Sequence, residues 1–264
     1  MKFYKKAILG TAILSSLAFG ENLVNTTISS AALTSEERSG KYFHTMATLP
    51  GFSMGAPSGL VPGKGVAFGG ISGSTNSDDT DGALAMGFGF GNPFETLGGA
   101  ATLGIGSIDP RDGGAFNRGA LNLTTGHHFR EYGLGVAVGV SGIDLWHDAG
   151  DDELDPSFYG AVTKLFPNEV APIVVTGGLG NNGYVDVNRG GDRKKKVDGF
   201  ASVAAYVIPQ MSIIADYTMG ITSAGISVVP FPEYPINITL GASDIFEEAQ
   251  KCSLVGSLSA AYVF

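Results

Sequence analysis

Cysteine is almost absent from this sequence: Cys252 stands alone among 264 residues. A single thiol excludes an intramolecular disulfide and any cysteine-based metal cluster. Long apolar runs are missing too, since nothing after residue 20 approaches the roughly 20 continuous apolar residues of a membrane-spanning helix. Basic residues are few, 16 Lys and Arg against 25 Asp and Glu, and the formal charge of −9 makes nucleic acid a poor partner. No glycine loop ends in the Lys-Ser/Thr pair of a phosphate cradle. The acidic runs NSDDTD (76–81) and DAGDDELD (148–155) offer oxygen ligands for Ca²⁺ but lack EF-hand spacing, so they read as solvated loops. No cofactor and no metal are expected.

What the chain does have begins at its start. Lys2, Lys5 and Lys6 precede an apolar run from Ala7 to Phe19, followed by small residues, which is the grammar of a cleaved secretory signal over residues 1–20. Its removal would take three lysines and no acid, moving the formal charge from −9 to −12. Residues 21–63 lack sustained periodicity and read as a periplasmic leader. The stretch LPGFSMGAPSGLVPGKG (49–65) could instead tuck into a lumen as a plug. Glycine is abundant, 40 residues, about twice ordinary usage, and it sits inside alternating segments as well as between them.

The final run, CSLVGSLSAAYVF (252–264), alternates in steps of two. Leu254, Leu258, Ala260, Tyr262 and Phe264 share one face; Ser253, Val255, Ser257, Ser259 and Ala261 share the other. A strand that is greasy on one side and small and polar on the other suits a sheet whose greasy side meets lipid. The terminal aromatic resembles the closing strand of Gram-negative outer-membrane β-barrels, whose last residue the assembly machinery reads.

From Gly65 onward twelve such runs are separated by turn chemistry. Residues 82–91 place Leu84, Met86, Phe88 and Phe90 against alanines and glycines, and Ala101, Leu103 and Ile105 oppose Thr102, Gly104 and Gly106. A two-residue turn at Arg130-Glu131 would pair Leu121 with Val140 and Leu123 with Val138, leaving Asn122 and Thr124 on the inner face. A turn at Pro209-Gln210 would pair Tyr206 with Ile213 and Phe200 with Met219 outside, with Ala201, Val203, Ser212, Asp216 and Thr218 inside. A further short turn is expected over Thr222 to Ala224. Weaker runs cover 157–166 and 170–181, where Lys164 must point inward or lie at an interface. With both ends of the barrel facing the periplasm, the turns on that side are short and the opposite loops are longer and charged. Aromatic residues such as Phe129, Tyr132, Trp146, Phe158, Phe231 and Tyr234 fall near the rims, as interfacial girdles do.

His127 and His128 raise the question of a barrel hydrolase. The inferred hairpin places His128 about eight positions, roughly 25 Å, from Ser141, so no nucleophile and base meet; an enzyme is not expected, and the histidines read as interfacial or lumen-lining. Arg189, Arg193, Lys194, Lys195 and Lys196 form one basic cluster in the longest outer loop, a candidate contact for lipopolysaccharide phosphates or an anionic solute.

Taken together these features resemble Gram-negative outer-membrane barrels over residues 64–264. The runs 209–231 and 235–245 are also similar to uncharacterised barrels associated with exopolysaccharide export. The resemblance implies an all-β, transmembrane, antiparallel up-and-down barrel of about 12 strands. It also implies a porin-like channel for passive or facilitated passage of small polar solutes, or alternatively a non-conducting structural barrel or a component of a polysaccharide-export assembly. The lining candidates are Asn122, Thr124, Ser212, Asp216, Thr218, Asn237, Thr239, Ser257 and Ser259. Expected partners are outer-membrane lipid and lipopolysaccharide, the barrel-assembly machinery and a small polar solute.

Overall fold

A computed structural model describes residues 49–75, 80–106, 116–148, 154–168, 170–189, 192–249 and 251–264. The expected signal, the expected leader or plug (21–63) as far as residue 48, and most of both acidic runs lie outside the described residues.

Period-two alternation resolves into twelve strands: β1 (Val66–Thr75), β2 (Thr80–Gly91), β3 (Gly98–Gly106), β4 (Arg118–Phe129), β5 (Leu134–His147), β6 (Ser157–Phe166), β7 (Ile173–Asn181), β8 (Val197–Ile208), β9 (Met211–Thr218), β10 (Ile221–Val228), β11 (Ile236–Ser243) and β12 (Ser253–Val263). Each pairs antiparallel with its sequence neighbour, and β12 pairs with β1 from Val66↔Val263 to Thr75↔Leu254, closing the barrel. Closure removes every sheet edge, which is what allows strands to cross a membrane without unpaired backbone groups.

The two faces follow the alternation. Met86, Phe88, Val138, Leu240 and Leu254 point outward and are more than half exposed, while Ala100, Ala204, Ser212, Ser227 and Thr163 face inward and are fully buried. Glycines on the inner face seat rings from the neighbouring strand. Phe68 lies over Gly87, Tyr159 over Gly139 and Phe200 over Gly178, each within 2.6 Å of where a Cβ would stand. The glycine excess therefore makes room in a narrow barrel.

Three local expectations are corrected. The β4–β5 turn has four residues, Arg130 to Gly133, with Gly133 left-handed at φ 54°. Register accordingly moves by two, giving Leu123↔Val140 and His128↔Gly135, and an even shift keeps every side chain on its face. Higher up, Gly142 at φ 75° forms a bulge, and its N–H donates to Asn122 Oδ1 at 2.9 Å.

At β8 the shift is odd. An irregularity between Tyr206 and Ile208 moves the pairing to Tyr206↔Ser212 and Ser202↔Asp216, so Phe200, Ser202, Ala204 and Tyr206 face inward. Ala201 and Val203, expected inside, face out. The β9–β10 turn lies at Met219-Gly220, both left-handed (φ 63° and 80°), rather than over Thr222 to Ala224, which belong to β10. Lys164 sits on the outer face at the end of β6, bonded to Tyr132 O and 5.6 Å from the Phe166 ring centre.

Candidate functional site: a filled lumen

The inner face encloses a segment of the chain itself. Residues 49–62 run inside the barrel and are buried except for Gly55. Their partners trace a U. Pro50 and Gly51 meet Tyr206, Ser212 and Ser227 near the end where the chain enters β1, and residues 53–56 reach Asp216 toward the other end. The segment then returns past Thr163 and His128 to Lys64, whose N–H donates to Gly91 O at 2.8 Å.

Asp216 holds the apex of the U. Its Oδ2 accepts from the N–H groups of Met54, Gly55 and Ala56 at 3.1, 3.1 and 3.0 Å, and Ser53 Oγ lies 2.9 Å away. Oδ1 accepts from the Thr218 hydroxyl at 2.9 Å. Three consecutive N–H groups converging on one oxygen form an anion-binding concavity, here filled by a wall carboxylate that is itself only 4% exposed. Burying a carboxylate costs several kcal/mol unless donors of this kind replace its water.

The legs are held similarly. Gly51 N–H donates to Ser227 Oγ at 2.8 Å, and Ser227 Oγ in turn lies 3.0 Å from both Asn237 Oδ1 and Thr239 Oγ1. The hydroxyls of Ser212, Tyr206 and Ser202 donate to the carbonyls of Gly51, Pro50 and Phe52. On the return leg Gly59 N–H donates to Thr163 Oγ1, and Val61 N–H to His128 Nε2, both at 2.8 Å. His128 therefore accepts through Nε2, which fixes the side of the ring that carries no proton.

Apolar side chains fill the remaining space. Leu49, Phe52, Met54 and Leu60 pack with Phe68, Val174, Tyr206, Ile214 and Val255 in one buried cluster. Met54 occupies room left by Gly225 and Gly241, where added Cβ atoms would lie 2.8 and 2.6 Å from its Sδ and Cε. Gly59 passes Gly135 so closely that a Cβ on Gly59 would lie 2.4 Å from Gly135 O and 2.5 Å from Thr163 N.

A second element enters from the opposite end. The short turn Asn182–Tyr184 turns inward, so Tyr184 packs with Tyr159, Phe200 and Ala56, and Ser141 Oγ lies 2.9 Å from Tyr184 Oη. Tyr159 and Tyr184 meet edge to face with ring centres 5.4 Å apart. Ala56, at the apex of the U, touches this aromatic lid from below.

Among the nine lining candidates, Ser212 and Asp216 bond directly to the inserted segment, and Asn237, Thr239 and Thr218 stand one bond behind. Asn122 ties down the β5 bulge, Thr124 is half-buried, and Ser257 and Ser259 lie on β12 opposite Thr239 and Asn237. Thr163, Ser202, Tyr206, Ser227, His128 and Tyr184 were absent from that group. The phase error on β8 hid Ser202 and Tyr206; Ser227 and Thr163 were legible from alternation alone.

The basic loop residues are engaged within the chain. Arg189 pairs with Asp198, Arg193 donates to Val185 O, Lys194 lies 2.6 Å from Asp155 and Lys195 lies 3.2 Å from Asp192. The Lys195 ammonium holds the Asp192 carboxyl below its ordinary range, with two Lys194 contributions in the same direction. Burial lowers Arg193, against the pull of Asp186 and Asp198. Lys196 also has an interaction of its own. His128 and Ser141 lie six positions apart along β5, about 20 Å rather than 25 Å, and each is committed to a different partner.

No family model matches the chain, and no curated protein matches it in sequence. The fold is that of a closed up-and-down barrel, and solved barrels with a related chain trace include an outer membrane channel from Pseudomonas putida F1 (13% identity, 77% of this chain and 97% of that one, TM-score 0.47). Outer membrane phospholipase A from Escherichia coli (8%, 75% and 92%, 0.43) and an outer membrane phospholipase from Salmonella typhi (7%, 91% and 98%, 0.46) are also similar.

Proposed function

We propose that this chain is an outer-membrane barrel held shut by its own residues 49–63, a gated passage for small polar solutes rather than an open porin. The carrying observation is the Asp216 anchor, which ties the apex of the inserted segment to β9 through three backbone N–H groups. The exposed apolar belt favours a membrane location, and the short turns on the β1 entry side favour that side as periplasmic. Residues 1–20 fit a removed signal and residues 21–48 a periplasmic leader. Passage is favoured over a purely structural role by the polar groups that the wall would present with the segment displaced, the hydroxyls of Thr163, Ser202, Ser212 and Ser227, Asn237, His128 and Asp216, set among apolar residues such as Phe68 and Ile214, a mixture that suits small polar solutes. The chemistry is non-enzymatic in this reading, because His128 is bonded to the inserted segment and lies far from Ser141. Lipid, lipopolysaccharide and the assembly machinery remain the natural partners of such a barrel.

The test is single-channel conductance of refolded protein, residues 21–264, in a planar bilayer. The parent should be silent or open only rarely, and Asp216→Ala should open frequently. Large, stable openings by the parent would overturn the closed reading.

A further inference from the structure

The wall treats its occupant as a polypeptide rather than as packing material. Nine main-chain atoms of residues 50–61 bond to barrel side chains: the carbonyls of Pro50, Gly51 and Phe52, and the N–H groups of Gly51, Met54, Gly55, Ala56, Gly59 and Val61. Only Ser53 and Ser58 meet the wall through polar side chains. The wall hydroxyls at Ser202, Ser212 and Tyr206 are spent on peptide carbonyls, and Thr163 and Ser227 on peptide N–H groups. This donor and acceptor pattern matches any main chain of that course. Selection among peptides then falls to space: apolar side chains enter recesses lined by glycine, Gly59 fits only without a Cβ, and no residue from Leu49 to Gly63 is charged.

Resting on the plug reading above, we propose that the lumen is a receptor for a U-shaped, uncharged, glycine- and proline-rich peptide. Residues 49–63 occupy it as a built-in ligand that a separate peptide of the same chemistry replaces. A tethered ligand holds its site at a high effective concentration, about millimolar, so exchange is visible only where the tether's own segment seats poorly. Gly59→Val supplies that state in the full chain. The new side chain would meet Gly135 O, Thr163 N and Val162 Cα at 2.4 to 2.9 Å from its Cβ alone, while every wall residue stays native.

The experiment refolds Gly59→Val, confirms the barrel by heat-modifiable gel migration, and records conductance while the synthetic peptide LPGFSMGAPSGLVPG is added. Fluorescein-labelled peptide is followed by polarisation in parallel. The expected result is an open barrel that the peptide closes saturably, with at least tenfold weaker binding when the peptide carries Val in place of its Gly59 equivalent or when the barrel also carries Asp216→Ala. An open Gly59→Val barrel that neither closes nor binds the peptide overturns the receptor while leaving the plug intact. A folded Gly59→Val barrel as silent as the parent overturns the plug and the receptor together. Equal closure by a scrambled peptide of the same composition also overturns the proposal, because the glycine recesses would then select nothing. Gly59→Ala repeats the series if Val prevents refolding.

Discussion

Replacing Asp216 with Ala removes one acceptor from a site where three backbone N–H groups and one hydroxyl converge. A hydrogen bond to a charged group contributes about 1.5–3 kcal/mol, and a buried donor left unpaired costs about 1–3 kcal/mol. The four contacts share one oxygen and do not add, so the loss to the seated segment is about 3–6 kcal/mol rather than the full sum. That converts to roughly a 10²–10⁴-fold shift from closed to open. Asp216→Asn keeps one carbonyl acceptor for the four contacts and can turn its N–H₂ to the Thr218 hydroxyl oxygen, but it loses the negative charge, so it should fall between parent and Ala. Open probability in a planar bilayer reads the shift directly, with heat-modifiable migration confirming that each variant is folded. An Asp216→Ala barrel that opens no more often than the parent would refute the anchor.

Other perturbations act on the same device. Gly225→Leu places a side chain where Met54 Sδ would lie 2.8 Å from its Cβ; overpacking of this kind costs about 1–3 kcal/mol and should shift the barrel toward open by roughly 5- to 150-fold. Tyr184→Ala empties the aromatic contact with Tyr159 and Phe200, a loss of about 3–5 kcal/mol by the cost of comparable aromatic truncations. Limited proteolysis should then cut within residues 182–196 faster than in the parent while the barrel strands stay resistant. Unheated samples in mild detergent should migrate faster than heated ones and fractionate with outer membranes; heat-insensitive, soluble protein would contradict a membrane barrel.

The alternation of β2, β3, β11 and β12 made the fold legible, because lipid outside and limited space inside demand opposite residue types at every second position. That demand is weakest where the interior is itself apolar. Phe200 and Tyr206 looked lipid-facing under the assumption of a wet lumen, yet both point inward, Tyr206 because its hydroxyl reaches Pro50 O and Phe200 because it closes on Tyr184. A one-residue irregularity after Tyr206 carries no sequence signature of its own, and it inverts the whole strand. The turn at Met219-Gly220 was hidden for a related reason, since a left-handed methionine is not a turn residue by composition. Asp216 was legible as an inward carboxylate; what it binds was not, because its partners lie some 160 residues away. The basic loop was legible from its charge; that Asp198, Asp155 and Asp192 stand beside Arg189, Lys194 and Lys195 was not, because it depends on how the loop folds back.

Cross-linking reads directly whether residues 49–63 sit inside the barrel in the membrane. A Cβ on Gly51 would lie 3.6 Å from Ser227 Cβ, within the 3.5–4.5 Å of a disulfide. Gly51→Cys with Ser227→Cys, in a Cys252→Ser background, should cross-link spontaneously in outer membranes and shift mobility on a non-reducing gel. Gly51→Cys with Ser157→Cys, a wall position near the opposite end, should not. Absence of the first cross-link in folded, membrane-inserted protein would place the segment outside the lumen and contradict the account.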